Sequence, residues 1–381
     1  MRENLLILGA SVRAAAFSAL RAGLTPYCID LFADQDLRAK CPAVAISAPR
    51  YPHGLVALAR EAPTGPWMYT GGLENRPRLI RRMMRERPLW GNDDVALAKV
   101  RDPFALQRAL ADVGVPCLPV RRPEDQPRGG RWLVKQVAGS GGAGIRFADD
   151  RPARRRRYFQ AFRDGESRSA VFVATDGDTQ LVGVARQLVG ERWLHAPPFR
   201  YCGSIGPLEV GIAERAAWLR LGRVVATFAG LRGLFGIDAI VDDGVPWPVE
   251  VNPRYTASVE VLEYANGGHR ATAPLWEPWF DSQVGTTAPK AEPWHEQMIG
   301  KAVYYAPRSL VVPDGPWSDV VRSALPVTEL PPFADIPPVG QRNPAGAPVL
   351  TFFACAATPA ECADRLRGIA ADLDRQLVNY L

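Results

Sequence analysis

Lysine is nearly absent from this chain. Of 46 basic residues only five are lysines (Lys40, Lys99, Lys135, Lys290 and Lys301), which leaves 41 arginines. The six cysteines form no CxxC and no short Cys/His spacing, which argues against structural zinc and a disulfide framework and fits a reducing cytoplasm. No apolar stretch approaches the roughly 18 residues of a membrane span. The start, Met1-Arg2-Glu3-Asn4 and then Leu5 to Ala10, resembles a signal peptide only superficially: Arg13 interrupts it and Gly9 sits where a strand would turn, so it reads as a first β-strand. Glycine and proline are plentiful but aperiodic, which excludes collagen and solenoid repeats.

What remains is a globular chain of 381 residues, 47% hydrophobic, with a net charge of +6. That length predicts two or three domains. The densest positive run, Arg151-Pro-Ala-Arg154-Arg155-Arg156-Arg157, is followed at once by Tyr158, Phe159 and Phe162. It therefore reads as a solvated loop entering an element, and nucleic acid is not an expected partner.

Leu5 to Leu8 predicts a strand, Val12 to Ala22 an alanine-rich helix, and Thr25 to Asp30 a second strand ending in an acid, a Rossmann-like βαβ unit. The turn GASVRA is a poor dinucleotide fingerprint. Trp67 to Thr70 is strand-like and delivers Gly71-Gly72-Leu73-Glu74-Asn75, a candidate wall of a site, since ligands bind at the carboxyl ends of such strands. Residues 92 to 113 predict two helices around Asp102-Pro103, with Asn92 as N-cap. A strand at 131–137 runs into Gly139-Ser140-Gly141-Gly142-Ala143-Gly144. An antiparallel meander then covers Tyr158 to Val189, with a turn at Asp176-Gly177-Asp178. A helix follows at 212–230, then a hairpin over Gly233 to Asn252, and last a region with strands near 301–305 and 348–353 and a helix from Pro359 to Leu377.

Three places carry chemistry. Lys135, on a strand delivered into a Gly/Ser-rich turn, supplies a compact charge beside backbone N–H groups that glycines leave approachable, as phosphate binding requires. The order differs from a P-loop, in which the lysine follows the glycines. A hairpin centred on Gly244 places Asp238 opposite Glu250, with Asn252 and Arg254 on the same face. Two carboxylates and an amide oxygen suit Mg²⁺, and an adjacent arginine suits a transferred phosphoryl group. Third, the apolar linker Phe159 to Phe162 can pair its backbone with an adenine edge, with Glu166 just beyond to accept ribose hydroxyls.

In this order the pieces resemble the ATP-grasp superfamily over roughly residues 1 to 270. Lys99 and Lys135 match its two nucleotide-contacting lysines, and Gly139, Ser140, Gly141, Gly142 and Gly144 its phosphate-covering loop. Gln160 and Phe162 align with its adenine hinge, Glu166 with its ribose acid, and Asp238, Glu250 and Asn252 with its metal ligands. Arg254 is similar to the arginine after the metal asparagine in carboxylase-like members. Gln136 departs from the proline that many members carry there.

The resemblance implies an α/β fold with a Rossmann-like domain over 1–90, a two-subdomain ATP-grasp core over 91–270 and a small β-rich closing domain over 290–381. It implies ATP and Mg²⁺ (Mn²⁺ as an alternative), and an ADP-forming ligase that activates a carboxylate as an acyl phosphate for attack by an amine. Arg254 and Arg186 would then stabilise the phosphoryl group or hold the acid. GGLENRP (71–77), RQLVG (186–190), FRYCGSIGP (199–207) and the stretch 246–263 resemble ATP-grasp proteins of methanofuran- and tetrahydromethanopterin-linked one-carbon metabolism, tyramine–glutamate ligase among them. That implies amide or γ-glutamyl bond formation in cofactor assembly. A bicarbonate-using carboxylase and a nucleotide-binding regulator without turnover are the alternatives. A cytoplasmic homodimer acting on small molecules, with no membrane partner, is the expected setting.

Overall fold

The computed structural model describes residues 3–149, 156–175, 177–267, 276, 297–323 and 325–377. The arginine run from Arg151 to Arg155, the turn residue Asp176 and Lys290 lie outside them.

The first unit is β1 (Asn4–Leu8), α1 (Arg13–Arg21), β2 (Thr25–Asp30), α2 (Gln35–Lys40), β3 (Ala43–Ala45), α3 (Leu55–Glu61), β4 (Trp67–Tyr69) and α4 (Pro77–Met84). Its strands form a parallel sheet in the order β3-β2-β1-β4. Leu5, Ile7 and Leu8 are fully buried, as a parallel strand covered on both faces requires. The predicted βαβ unit is present; α2, β3 and α3 are additions that weak periodicity had hidden.

Helices α5 (Asp94–Val100) and α6 (Pro103–Ala111) follow, broken at Asp102-Pro103 as expected. The N-cap of α5 is Asp93, whose side chain accepts from Val95 N and Ala96 N. Asn92 does not cap it. Asn92 is buried instead, donating to Pro253 O (3.0 Å) and accepting from Arg232 N (2.8 Å).

A small sheet in the order β5-β8-β6-β7 holds β5 (Val120–Arg121), β6 (Trp132–Gln136), β7 (Arg146–Phe147) and β8 (Arg157–Ala161). Phe159, expected in an apolar linker, lies inside β8 and is fully buried.

The large sheet is built from β9 (Glu166–Thr175), β10 (Asp178–Val189) and β11 (Tyr201–Gly206), then, after α7 (Ile212–Ala229), from β12 (Gly233–Asp242) and β13 (Val245–Asn252). Beyond α8 (Ala257–Ala265) come β14 (Met298–Tyr305), β15 (Leu310–Val311), α9 (Pro316–Arg322), β16 (Phe333–Ala334), β17 (Arg342–Asn343), β18 (Pro348–Ala356) and α10 (Pro359–Leu377). The sheet order is β13-β12-β9-β10-β11-β14-β18-β16. Strands from the last third therefore continue the same sheet.

Helix α7 covers one face, where Trp218, Phe172 and Phe235 are fully buried and the two phenylalanines stack at 5.0 Å; each such side chain contributes about 1.5–3 kcal/mol by burial. Helix α8 lies on the other face and is buried from Ser258 to Ala265. It is tied to the first and last parts of the chain by charge. Glu260 accepts from both terminal nitrogens of Arg13 on α1 and from Lys301 Nζ on β14 (2.7 Å). Arg13 also donates to Asp335 (2.8 Å), and Arg21 pairs with Glu263 (2.5 Å). Lys301, for which the sequence offered no role, is thus a buried structural cation. No helix among the described residues is long and apolar enough to cross a membrane.

Candidate functional site

The β12–β13 hairpin closes through Asp243 and Gly244, both at positive φ (48° and 73°), the pair a two-residue type I′ turn needs. That turn pairs Asp242 with Val245 and Ala239 with Pro248. Between Asp238 and Ala239 the register shifts by one residue, with Val249 as the extra residue, and Asp238 comes opposite Glu250. The expected pairing is present, set by a bulge.

Asp238 accepts from Asn252 Nδ2 (3.0 Å) at one oxygen and from Gln187 Nε2 (2.9 Å) at the other. Burial, and then the nearby charge of Glu250, push its carboxyl up to about 6. Glu250 pairs with Arg101 (2.7 Å). Arg254 donates to Asn252 Oδ1 (3.1 Å) and to Glu74 Oε1 (2.8 Å). Burial opposes the charge on Arg254, but Glu74, together with Glu250 and Asp238 behind it, outweighs it and raises the guanidinium pKa. Burial likewise works against the Glu74 carboxylate, and Arg254 more than offsets it, holding that group below its ordinary value. The loop after β4, expected as a wall of the site, contributes no residue to the lining of the cleft and instead bonds Arg254 through the buried Glu74.

Lys135, on β6, projects toward this face: its ammonium donates to Gln160 Oε1 (3.0 Å) and Val249 O (2.8 Å). The glycine loop runs from β6 to β7 with Gly141, Gly142 and Gly144 at positive φ. It rests on the segment after β10. Gly141 O accepts from Tyr201 N (3.4 Å), and a Cβ on Gly142 would lie 1.7 Å from Phe199 O. Gly139 O accepts from Asn75 (3.2 Å) and from Arg101, while Gly144 packs behind the loop on Gln136. Phe162 stands at the rim with Phe147 (5.2 Å) and beneath Arg131 (3.9 Å). Between these walls lies a cleft of about 920 Å³ lined by Lys135, Ser140, Gly142, Gln160, Phe162, Asp238, Glu250, Asn252 and Arg254 among others.

Three expected residues are not brought to it. Lys99 is on the outer side of α5, its ammonium donating to Phe228 O (3.0 Å); Arg101, two residues on, occupies the cleft side instead. Glu166 and Arg186 lie on the opposite face of the sheet, where they sit 3.6 Å apart and Glu166 pairs with Arg168 (2.5 Å), which also bonds Glu214 on α7. Strand alternation is the reason: Ser167, Ser169 and Gln187 line the cleft, so their neighbours Glu166, Arg168 and Arg186 cannot. The signal was available, because Arg186 is followed by a polar Gln187 one step out of phase. Glu74 and Asn75 were flagged only as part of the loop after β4, without a role, and Thr256 carried no spacing that would have found it.

Residues 100–258 match the model of the ATP-grasp domain family. The matched segment holds Lys135, the glycine loop and the Asp238–Glu250–Asn252–Arg254 face. The fold of the whole chain is that of ATP-grasp proteins, as solved structures show. An L-amino acid ligase from Bacillus licheniformis superposes with a TM-score of 0.70 at 16% identity, covering 99% of this chain and 98% of that one. N5-carboxyaminoimidazole ribonucleotide synthetase from Thermus thermophilus gives 0.65 at 14%, covering 98% of each. The biotin carboxylase domain of Hydrogenobacter thermophilus 2-oxoglutarate carboxylase, solved with MgADP, ADP and bicarbonate, gives 0.68 at 14%, covering 95% of this chain and 88% of that one. No curated protein matches in sequence. On the ATP-grasp frame, the small β5–β8 sheet and the large sheet form the two walls, and the glycine loop spans the cleft between them.

Proposed function

We propose that the protein is an ATP-dependent ligase that phosphorylates a substrate carboxylate and joins it to an amine, releasing ADP. The observation that carries this reading is the convergence of Lys135, the glycine loop and the Asp238–Glu250–Asn252–Arg254 face on one cleft.

Among the described residues no three His, Cys, Asp or Glu side chains gather to hold a metal, so the donor set rests on two carboxylates and an amide oxygen. Those hard oxygens suit Mg²⁺, and the raised Asp238 carboxyl beside Glu250 marks negative charge that a divalent cation would neutralise. Bound there with the nucleotide, Mg²⁺ would offset charge on the β- and γ-phosphates.

Lys135 holds phosphate oxygens with a point charge, and the positive-φ glycines bring backbone N–H groups close while covering the phosphates from water. Gln160 and the backbone around Phe162 face the base. Arg101 takes the part first given to Lys99. Arg254 faces the phosphoryl group as it passes to the acid. The acid carboxylate sits between Arg254 and the first turn of α8. There Thr256 Oγ1 is buried without a partner and does not cap its own helix, leaving the hydroxyl and the helix N-terminus for an anion. Activation is then largely positioning and charge.

The finer reading, amide or γ-glutamyl bond formation in the assembly of a one-carbon carrier cofactor, is supported by GGLENRP, RQLVG and FRYCGSIGP, which contribute Glu74, Gln187 and Tyr201 to the site. Six cysteines free of disulfides support a cytoplasmic setting.

The test is a panel of acids and amines, bicarbonate included, assayed for ADP release and product mass. An amide product confirms the ligase. Bicarbonate-dependent release without an amine points to carboxylation, and binding without turnover to a regulator. Failure of millimolar Mg·ATP to shift the melting temperature sinks the nucleotide reading.

A further inference from the structure

The loop Gly71–Asn75 belongs to the Rossmann-like unit, outside the matched ATP-grasp segment, yet it touches the site from three directions. Glu74 has no exposed side-chain surface and gives Oε1 to Arg254 (2.8 Å), while its Oε2 is buried without a partner. Asn75 accepts from Arg101 through Oδ1 (2.8 Å) and donates to Gly139 O (3.2 Å). Gly71 lies against the same guanidinium, where a Cβ would stand in contact at 3.4 Å from Arg254 Cζ. Burying a carboxylate is costly unless it is paired, and the partner of this one is the arginine facing the transferred phosphoryl group. Elsewhere on Arg254, NH1 reaches only the backbone of Tyr255 (3.1 Å) and Nε has no partner, so Glu74 is the only opposite charge in direct contact with it among the described residues.

We propose that Glu74 and Asn75 are positioning residues supplied in cis by the first domain: Glu74 fixes the guanidinium of Arg254, and Asn75 fixes Arg101 and the entry to the glycine loop. The proposal rests on the ligase reading for its catalytic meaning and on the contacts alone for its geometry. The loop delivers no group to substrate. It holds two arginines from different elements, after α5 and after β13, in one relative orientation, and connects that pair to the loop that covers the phosphates.

The experiment compares Glu74→Gln, Glu74→Asp and Asn75→Ala with the wild type in the full-length protein. Glu74→Gln keeps an acceptor oxygen and removes the charge. It is expected to lower kcat about 10–100-fold while the Kd for Mg·ATP stays within about threefold, and Glu74→Asp should recover part of the loss. Asn75→Ala should raise KM for ATP and increase hydrogen exchange across residues 138–145. Wild-type kcat in Glu74→Gln overturns the proposal, and so does an equal loss of kcat and nucleotide affinity, since that reports general collapse of the cleft. If the wild type neither binds Mg·ATP nor releases ADP, the ligase reading fails separately. The positioning is then judged by exchange alone: faster exchange at 252–256 in Glu74→Gln and at 138–145 in Asn75→Ala upholds it, and unchanged exchange overturns it.

Discussion

Asp238 stands opposite Glu250 because Val249 bulges out of β13; without that extra residue the type I′ turn would set Asp238 against Val249. The bulge brings Glu250 onto the face of Asp238, where Gln187 and Asn252 bond the two oxygens of Asp238. A bulge beside a site serves to aim a side chain.

Gln187 and Arg186 are neighbours on opposite faces of β10, so they should separate in solution. Gln187→Ala is expected to weaken the Mg²⁺ dependence of ATP binding about 10–100-fold. Arg186→Ala and Glu166→Gln should leave it unchanged. Melting temperature measured across a Mg²⁺ titration at fixed ATP reads all three, and a large effect in Arg186→Ala would contradict the strand phase.

Lys99 and Arg101 differ by two residues and by the whole thickness of α5. Arg101→Ala removes a charge-assisted contact to Glu250 and should cost about 1.5–3 kcal/mol of Mg·ATP binding, or about ten- to a hundredfold in Kd. Lys99→Ala, losing its bond to Phe228 O and its place over the Phe228 ring, should bind nucleotide like the wild type in calorimetry.

Gly142 is required twice over, by its φ of +77° and by the carbonyl of Phe199 beneath it. Gly142→Ala should keep the glycine loop from seating. ATP would still bind, but the covered space would open to water, and ADP would outrun ligated product. The ratio of ADP to product, near one in the wild type, is the measurement.

Much of this was legible beforehand. The βαβ start, the broken helix pair, the hairpin and the closing helix α10 follow from short-range pattern, and Lys135 with its glycines is a local signature. The pairing of Asp238 with Glu250 was read correctly from a symmetric hairpin, although two shifts that cancel are what produce it. The misplaced residues have two causes. For Glu166 and Arg186 the strand was identified but its phase was not, and a period of two reverses the face with every step. Lys99 was matched by its order along the chain, a property that says nothing of the helix face it occupies. Glu74 and Asn75 act across some 180 and 26 residues of chain respectively, a separation no local pattern encodes.

Asp34 gives a prediction about stability. Burial, and then the charges of Asp335, Asp36 and Asp30, push its carboxyl well above the ordinary range, with Arg13 opposing. For an acid so raised, the folded state holds its proton longer than the unfolded state does. The contribution of this group to stability is therefore greatest below the unfolded value of about 3.9 and falls as pH rises above it. Asp34→Asn should raise the melting temperature, by more at pH 8 than at pH 5, and keep a good helix N-cap residue ahead of α2. Parallel melting curves for the two proteins at those pH values would refute the assignment if the gap did not widen.

Arg13 and Asp335 meet although 322 residues separate them. The guanidinium on the first helix therefore cannot find its full set of carboxylates until the chain beyond Asp335 has been made. Order of synthesis and order of completion run in opposite directions here. Helix α1 is made long before its last carboxylate partner, and a fragment ending before β16 keeps Asp36 and Glu260 for Arg13 but lacks Asp335.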